Sequence, residues 1–135
     1  MAHEHIVYMM LVDAAARAGD EDTIRQFAPQ LEKLALRDAH QPYLGVAHRA
    51  WGVAHRLAGE YTDAEQRLEA ALEIFEGLGT QWQTGRTFFE MGELALAKSE
   101  NEAARGHFVR AQEMFEDMGA GPDTARTAVA LDRLT

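Results

Sequence analysis

The chain has 135 residues, 47% of them apolar, which suits one folded domain with a sizeable core and excludes a disordered chain. It contains no cysteine, so disulfides and thiolate metal sites are excluded and a reducing, cytoplasmic setting is expected. A formal net charge of −9 sets nucleic acid and anionic membranes aside as partners.

Taken from its start, the chain opens on an apolar run, Ile6 to Val12. The run is too short to span a bilayer and too weakly basic in front to act as a signal peptide. A helix that is apolar all round expects neighbours on both sides. Roughly Pro42 to Ala58 and Tyr61 to Glu76 then read as two amphipathic helices, joined by Ala58-Gly59-Glu60 with Gly59 suited to a left-handed helix end. Leu68, Ala71, Leu72 and Phe75 fall at helical spacing and mark a buried stripe. Gln81 to Lys98 and Asn101 to Asp117 repeat the pattern, and a last helix follows Pro122, a residue suited to a first helical position. No segment alternates as a strand would, so the chain is expected to be all-α.

The chain also repeats itself. A shift of about 40 residues aligns Gly52 with Gly92, Ala64 with Ala104, Leu68 with Phe108, Ala71 with Ala111, Phe75 with Phe115 and Gly79 with Gly119. The same shift backwards sets Gly19 under Gly59 and Leu34 under Ile74. One domain, 1–135, is therefore expected to hold three helix pairs, about 3–41, 42–80 and 81–120, and a capping helix at about 122–134. Glycine inside a helix costs about 1 kcal/mol relative to alanine. Gly52 and Gly92 accept that cost at one register, which predicts a close helix crossing over the small Ala64 and Ala104. The aromatics Phe75, Phe108 and Phe115 are expected to fill the space between successive pairs.

These residues resemble the tetratricopeptide repeat family: Gly52, the Gly59-Glu60-Tyr61 turn, Ala64, Leu68, Ala71 and Phe75, then Gly92, Ala104, Phe108, Ala111 and Phe115. Ser99 and Asn101 stand where that pattern has Gly and Tyr, and the usual helix-ending proline is missing. The forty-residue spacing is similar to a longer variant found in the C-terminal repeat arms of bacterial ATP-dependent transcriptional regulators. No Gly-x-x-x-x-Gly-Lys loop accompanies it here. The resemblance implies a right-handed antiparallel helix-pair solenoid. Its function would be that of a protein-protein interaction scaffold, with no enzymatic activity and no cofactor.

In that family partners lie on a concave groove lined by the first helix of each pair. Carried onto this chain, the groove comprises Met9, Asp13 and Arg17; Arg49, Val53 and Arg56; Arg86, Phe89 and Glu93; and Arg126, Val129 and Arg133. First helices and the terminal helix hold seven basic and six acidic residues, and the rest of the chain six and sixteen. The groove is thus expected to be Arg-lined on an acidic protein. That favours a peptide or protein segment rich in carboxylates, because guanidinium binds them with two parallel hydrogen bonds. The competing reading is that these Arg pair with neighbouring acids. A chaperone-type carboxylate clamp, which needs Lys and Asn on these helices, is absent.

Other chemistry finds little support. His48 and His55 are seven residues apart with no third ligand at helical spacing, so no metal site is expected. No Ser-His-Asp or Cys-His arrangement can be argued. Trp51 and Trp82 read as packing residues and the methionines as core filler. The two ends differ: the last helix, with Asp123, Asp132 and Arg133 on one side and Ala128, Leu131 and Leu134 on the other, reads as a solubilising cap. The first reads as having none, so either an upstream repeat is missing or two copies meet there; Ile6, Met9 and Met10 are the expected contacts of such a homodimer, the alternative function being homo-oligomerisation.

Overall fold

Alanine is abundant and only three prolines occur, so helix is the favoured local state. A computed structural model describes residues 2–134, with side chains from Ile6 onward. Among the described residues every regular element is an α-helix: α1 (Ala2–Ala18), α2 (Glu21–Arg37), α3 (Gln41–Leu57), α4 (Tyr61–Leu78), α5 (Gln81–Ala97), α6 (Asn101–Asp117) and α7 (Gly121–Asp132). Three helices start at 21, 61 and 101, and three at 41, 81 and 121, so the forty-residue register of the sequence is the register of the helix starts.

The punctuation runs at half that period. Residues 19, 39, 59, 79, 99 and 119 all adopt positive φ, between 52° and 79°. Each lies just past a helix end, where a left-handed residue lets the chain turn back on itself. At Gly19, Ala39, Gly59, Ser99 and Gly119 two backbone bonds close the end. The first runs from the left-handed residue three back, as in Gly59 N–H to Arg56 C=O at 3.0 Å. The second runs from the next residue five back, as in Glu60 N–H to His55 C=O at 2.8 Å. The residue after the left-handed one then precedes the next helix. Asp20 caps α2 by accepting from the Thr23 N–H at 3.2 Å, and His40 caps α3 by accepting from the Tyr43 N–H at 3.3 Å. Ala39 and Ser99 do without glycine the same work as the other four, at a conformational cost of about 1 kcal/mol each.

The chain divides into two compact units, Met1–Leu78 and Gly79–Thr135. In the first, α1 packs on α2, α2 on α3, α3 on α4, and the two first helices α1 and α3 also meet. Its core joins Val12, Ala15 and Ala16 of α1, Ile24, Ala28 and Leu31 of α2, Val46, Ala47, Ala50, Val53 and Ala54 of α3, and Ala71 and Phe75 of α4. In the second unit, α5 packs on α6 and α6 on α7.

The helical glycines do mark a close crossing, with the Ala64 backbone oxygen 3.5 Å from a Cβ built at Gly52, but the nearest atoms belong to a large side chain. A Cβ at Gly52 would lie 2.6 Å from Leu68 Cγ, and one at Gly92 would lie 2.6 Å from Phe108 Cε1. Each glycine is a notch for a large side chain of the partner helix; Ala64 and Ala104 are simply fully buried beside it. Two further notches follow the same rule, Gly45 over Phe75 and Gly85 over Phe115. The aromatics therefore fill the inside of a helix pair. The reason is geometric: a ring needs the width that a missing Cβ leaves between two helix backbones. In α7 the fully buried side is Thr127 and Ala130, with Ala128 and Leu131 only half-buried and Val129 exposed; Leu134, just past the helix, is half-buried too.

Candidate functional site

The residues expected to line a groove fall into two sets, one in each unit. In the first unit Arg49 is only 1% exposed. Its Nη2 lies 3.2 Å from Asp13 Oδ1, joining α3 to α1, and its guanidinium sits 5.2 Å from the centre of the Phe75 ring. A buried guanidinium that has lost its water must be repaid by such contacts, so Arg49 holds the two helices together. Val53 is equally buried and belongs to the core. Met9 packs partly against that core, Arg56 is half-buried and Arg17 exposed. Asp13, Arg49 and Val53 are thus brought together by packing, and Arg17 and Arg56 are the cations nearest to solvent on these helices.

Across the other side of α3, α2 and α4 meet over Trp51. Arg25 and Arg67 lie 5.8 and 5.5 Å from its ring. Arg25 bonds Glu21 and Glu60, and Arg67 bonds Glu32 at 2.6 Å and His48 Nδ1 at 3.0 Å. His55 faces Glu60 at 2.8 Å. Burial, and then the neighbouring Arg67 charge, push the His48 pKa below its ordinary value. The two histidines serve separate ion pairs, and among the described residues no group of three or more acidic or imidazole side chains could hold a metal.

In the second unit α5 and α7 are tied by three rungs. The Trp82 Nε1–H donates to Asp123 at 2.8 Å, Arg126 lies 4.3 Å from the centre of the Phe89 ring, and Arg133 Nη2 bonds Glu93 at 2.6 Å. Arg86 is 2% exposed and sits 5.4 Å from the Trp82 ring. Phe89 is buried and Glu93 half-buried. Arg126 lies on an aromatic face as Arg49 and Arg86 do, but among the described residues no carboxylate or carbonyl takes its N–H groups.

A tetratricopeptide-repeat family model matches residues 43–117, which span α3 to α6 almost entirely. The chain belongs to the tetratricopeptide repeat family. No curated protein and no solved structure matches it. Tetratricopeptide repeats mediate protein–protein interaction and form a non-catalytic scaffold. No described helix is long and apolar enough to cross a membrane.

The family resemblance put Arg126, Phe89, Glu93 and Arg133 on one expected groove, but left their pairings open. The signal for two of the rungs was present: Trp82 and Asp123 are 41 residues apart, and Glu93 and Arg133 are 40 apart, one repeat. The Trp51 cluster was not read from the sequence, although Arg25–Glu60 and Arg67–Glu32 are both 35 residues apart, a spacing other than the forty-residue repeat.

Proposed function

We propose that this tetratricopeptide-repeat chain holds a protein segment bearing carboxylate side chains, with Arg126 as its anchoring cation. The observation that carries the reading is the state of Arg126. Its guanidinium is laid on Phe89 at 4.3 Å, which orients the plane while leaving the N–H fork for a ligand. A charge-assisted bidentate bond to a carboxylate is the interaction such a fork makes best. Arg86 plays a different part in this reading: buried against Trp82, it belongs to the packing of α5. The acidic balance of the rest of the chain opposes the ligand only weakly, since charges beyond about 8 Å are screened at physiological salt.

The forty-residue spacing of the helix starts supports a finer reading, that the chain is akin to the repeat arms of bacterial ATP-dependent transcriptional regulators, and that its ligand is a segment of a signalling protein. The direct test is titration of an oligo-glutamate peptide into the wild type, Arg126→Lys and Arg126→Glu, with an oligo-lysine peptide as control. A lost charge-assisted pair is worth about 1.5–3 kcal/mol, so Arg126→Glu should weaken oligo-glutamate binding roughly tenfold or more while the fold persists. Equal affinity of the wild type and Arg126→Glu sinks the assignment of Arg126.

A further inference from the structure

His48 and His55 stand two turns apart on α3, and so on one side of that helix. Between them Trp51 carries Arg25 of α2 and Arg67 of α4, at 5.8 and 5.5 Å from its ring centre. His48 Nδ1 lies 3.0 Å from Arg67 Nη1, and the same Nη1 donates to Glu32 of α2 at 2.6 Å. His55 Nδ1 lies 2.8 Å from Glu60 Oε1, which also accepts from Arg25 Nη2 at 3.1 Å. Arg25 Nε donates to Glu21 at 2.8 Å. One ring nitrogen of each histidine thus faces a charge, and the two charges have opposite signs.

Those partners fix the tautomers. A guanidinium only donates, so the contact with Arg67 requires His48 Nδ1 to be bare and to accept, with the ring proton on Nε2. An ionised carboxylate only accepts, so His55 carries a proton on Nδ1 and donates it to Glu60. Glu60 is held ionised, because the bonds from His55 and then Arg25 keep its carboxyl below its ordinary value. Acid therefore acts on the two rings in opposite ways. A proton added to His48 must go to Nδ1, where it meets an N–H and the positive charge of Arg67, so the contact breaks. A proton added to His55 goes to Nε2 and turns its hydrogen bond into an ion pair. Burial and then Arg67 push the His48 pKa below its ordinary 6.5, while Glu32 draws it the other way. The remaining helix packed on α3, α1, brings Asp13, which is tied to Arg49.

We infer that this cluster is a pH-sensitive joint in the first unit: on mild acidification His48 lets go of Arg67, and α3 passes its hold from α4 to the turn that carries Glu60. Arg67 keeps Glu32, so α2 and α4 stay tied while the polar bond between α3 and α4 is lost. The helix-pair fold itself does not call for these residues. Forty residues on, His48, Trp51 and His55 are replaced by Phe88, Met91 and Ala95, and α5 still packs on α6. The joint is an addition to the repeat, confined to the first unit.

Proton–nitrogen correlation spectra of the histidine rings, followed from about pH 8 down to about pH 5, test this. His48→Gln and His55→Gln assign the two rings, and Trp82→Phe separates the two indole signals. Above the transition His48 should carry its proton on Nε2 and His55 on Nδ1. The Trp51 indole resonance should move with the same midpoint as His48, at constant helix content, because Arg67 shifts over the ring when the contact breaks. In Arg67→Met the His48 midpoint should rise, and in His48→Gln the Trp51 resonance should no longer follow that midpoint. A neutral His48 with its proton on Nδ1 overturns the inference, and the wild type alone decides that point. So does a His48 midpoint that Arg67→Met leaves unchanged, a Trp51 resonance that stays still while His48 titrates, or a loss of helix over the same range.

Discussion

In the second unit α5 and α6 are neighbours of equal length, 17 residues each, and they solve the burial problem in opposite ways. The second of them buries four residues, Ala104, Phe108, Ala111 and Phe115, in one stripe at spacings of four, three and four. The first buries ten, among them Thr84, Arg86, Thr87 and Glu90, over most of its circumference. Thr84 and Thr87 satisfy their hydroxyls by donating to the carbonyls of Thr80 and Gln83 one turn back, at 2.9 and 2.8 Å. The inner helix is thus notched by glycine and lined with polar groups, of which the two threonine hydroxyls are satisfied by backbone carbonyls. The outer one supplies the large knobs and a solvated acidic face. Unit one divides the labour alike, with Arg49 and Gly52 on α3 and Leu68 and Phe75 on α4.

Several substitutions would break that division, the largest first. Phe108→Ala removes the knob from a fully buried site and should cost about 3–5 kcal/mol in denaturant unfolding, whereas Val109→Ala, on an exposed position, should cost a small fraction of it. Gly92→Ala fills the notch from the other side; its Cβ meets a rigid ring at 2.6 Å, and the overpacking should cost about 1–3 kcal/mol despite the better helix former. The double variant Gly92→Ala/Phe108→Ala should be less damaged than the two singles combined, because the new methyl occupies the space the ring gave up. Additive losses would show that notch and knob are not one contact.

Glycine removal should reverse sign on the outer helix. At Gly106 of α6 a Cβ would meet nothing within 4 Å, so Gly106→Ala should stabilise by up to about 1 kcal/mol. Between the two helices, Ser99 holds φ of 62°, and Ser99→Gly should stabilise by about 1 kcal/mol, read as a rise in the thermal midpoint. The smallest effect is a pH dependence. His107 of α6 stacks on Phe88 of α5 at 6.2 Å, and burial, then Arg110, lower its pKa below 6.5. The unfolded chain then binds a proton more readily than the folded one. The contribution of His107 is fully present above about pH 6.5 and is lost as pH falls below it. His107→Gln should flatten that part of the stability profile, and His48, with its pKa lowered in the same direction, should keep the remainder.

The outer helices were the legible ones. Ala104, Phe108, Ala111 and Phe115 could be picked from the sequence because a helix with one buried side writes its burial as a 3.6-residue period. The turns were legible where glycine marks them, at 19, 59, 79 and 119, and silent at Ala39 and Ser99, whose side chains tolerate positive φ without advertising it. The inner helices hid their role. Arg49 and Arg86 look like surface cations in sequence, and their burial depends on Asp13, Phe75 and Trp82, which helix pairing brings to them.

The sequence by itself therefore determined the all-helical class, the forty-residue register, the knob residues and the apolar character of α1, since each is written in local periodicity or repeated identity. Tertiary structure alone decided which arginines became internal ties and that Arg126 lies over the Phe89 ring. It also decided that the glycine notches receive large side chains of the paired helix, Leu68 at Gly52 and phenylalanine rings at Gly45, Gly85 and Gly92. A side chain's partner in this fold lies a helix or a repeat away, and the fate of a charge depends on whether a carboxylate or a ring arrives beside it, which no periodicity in one chain records.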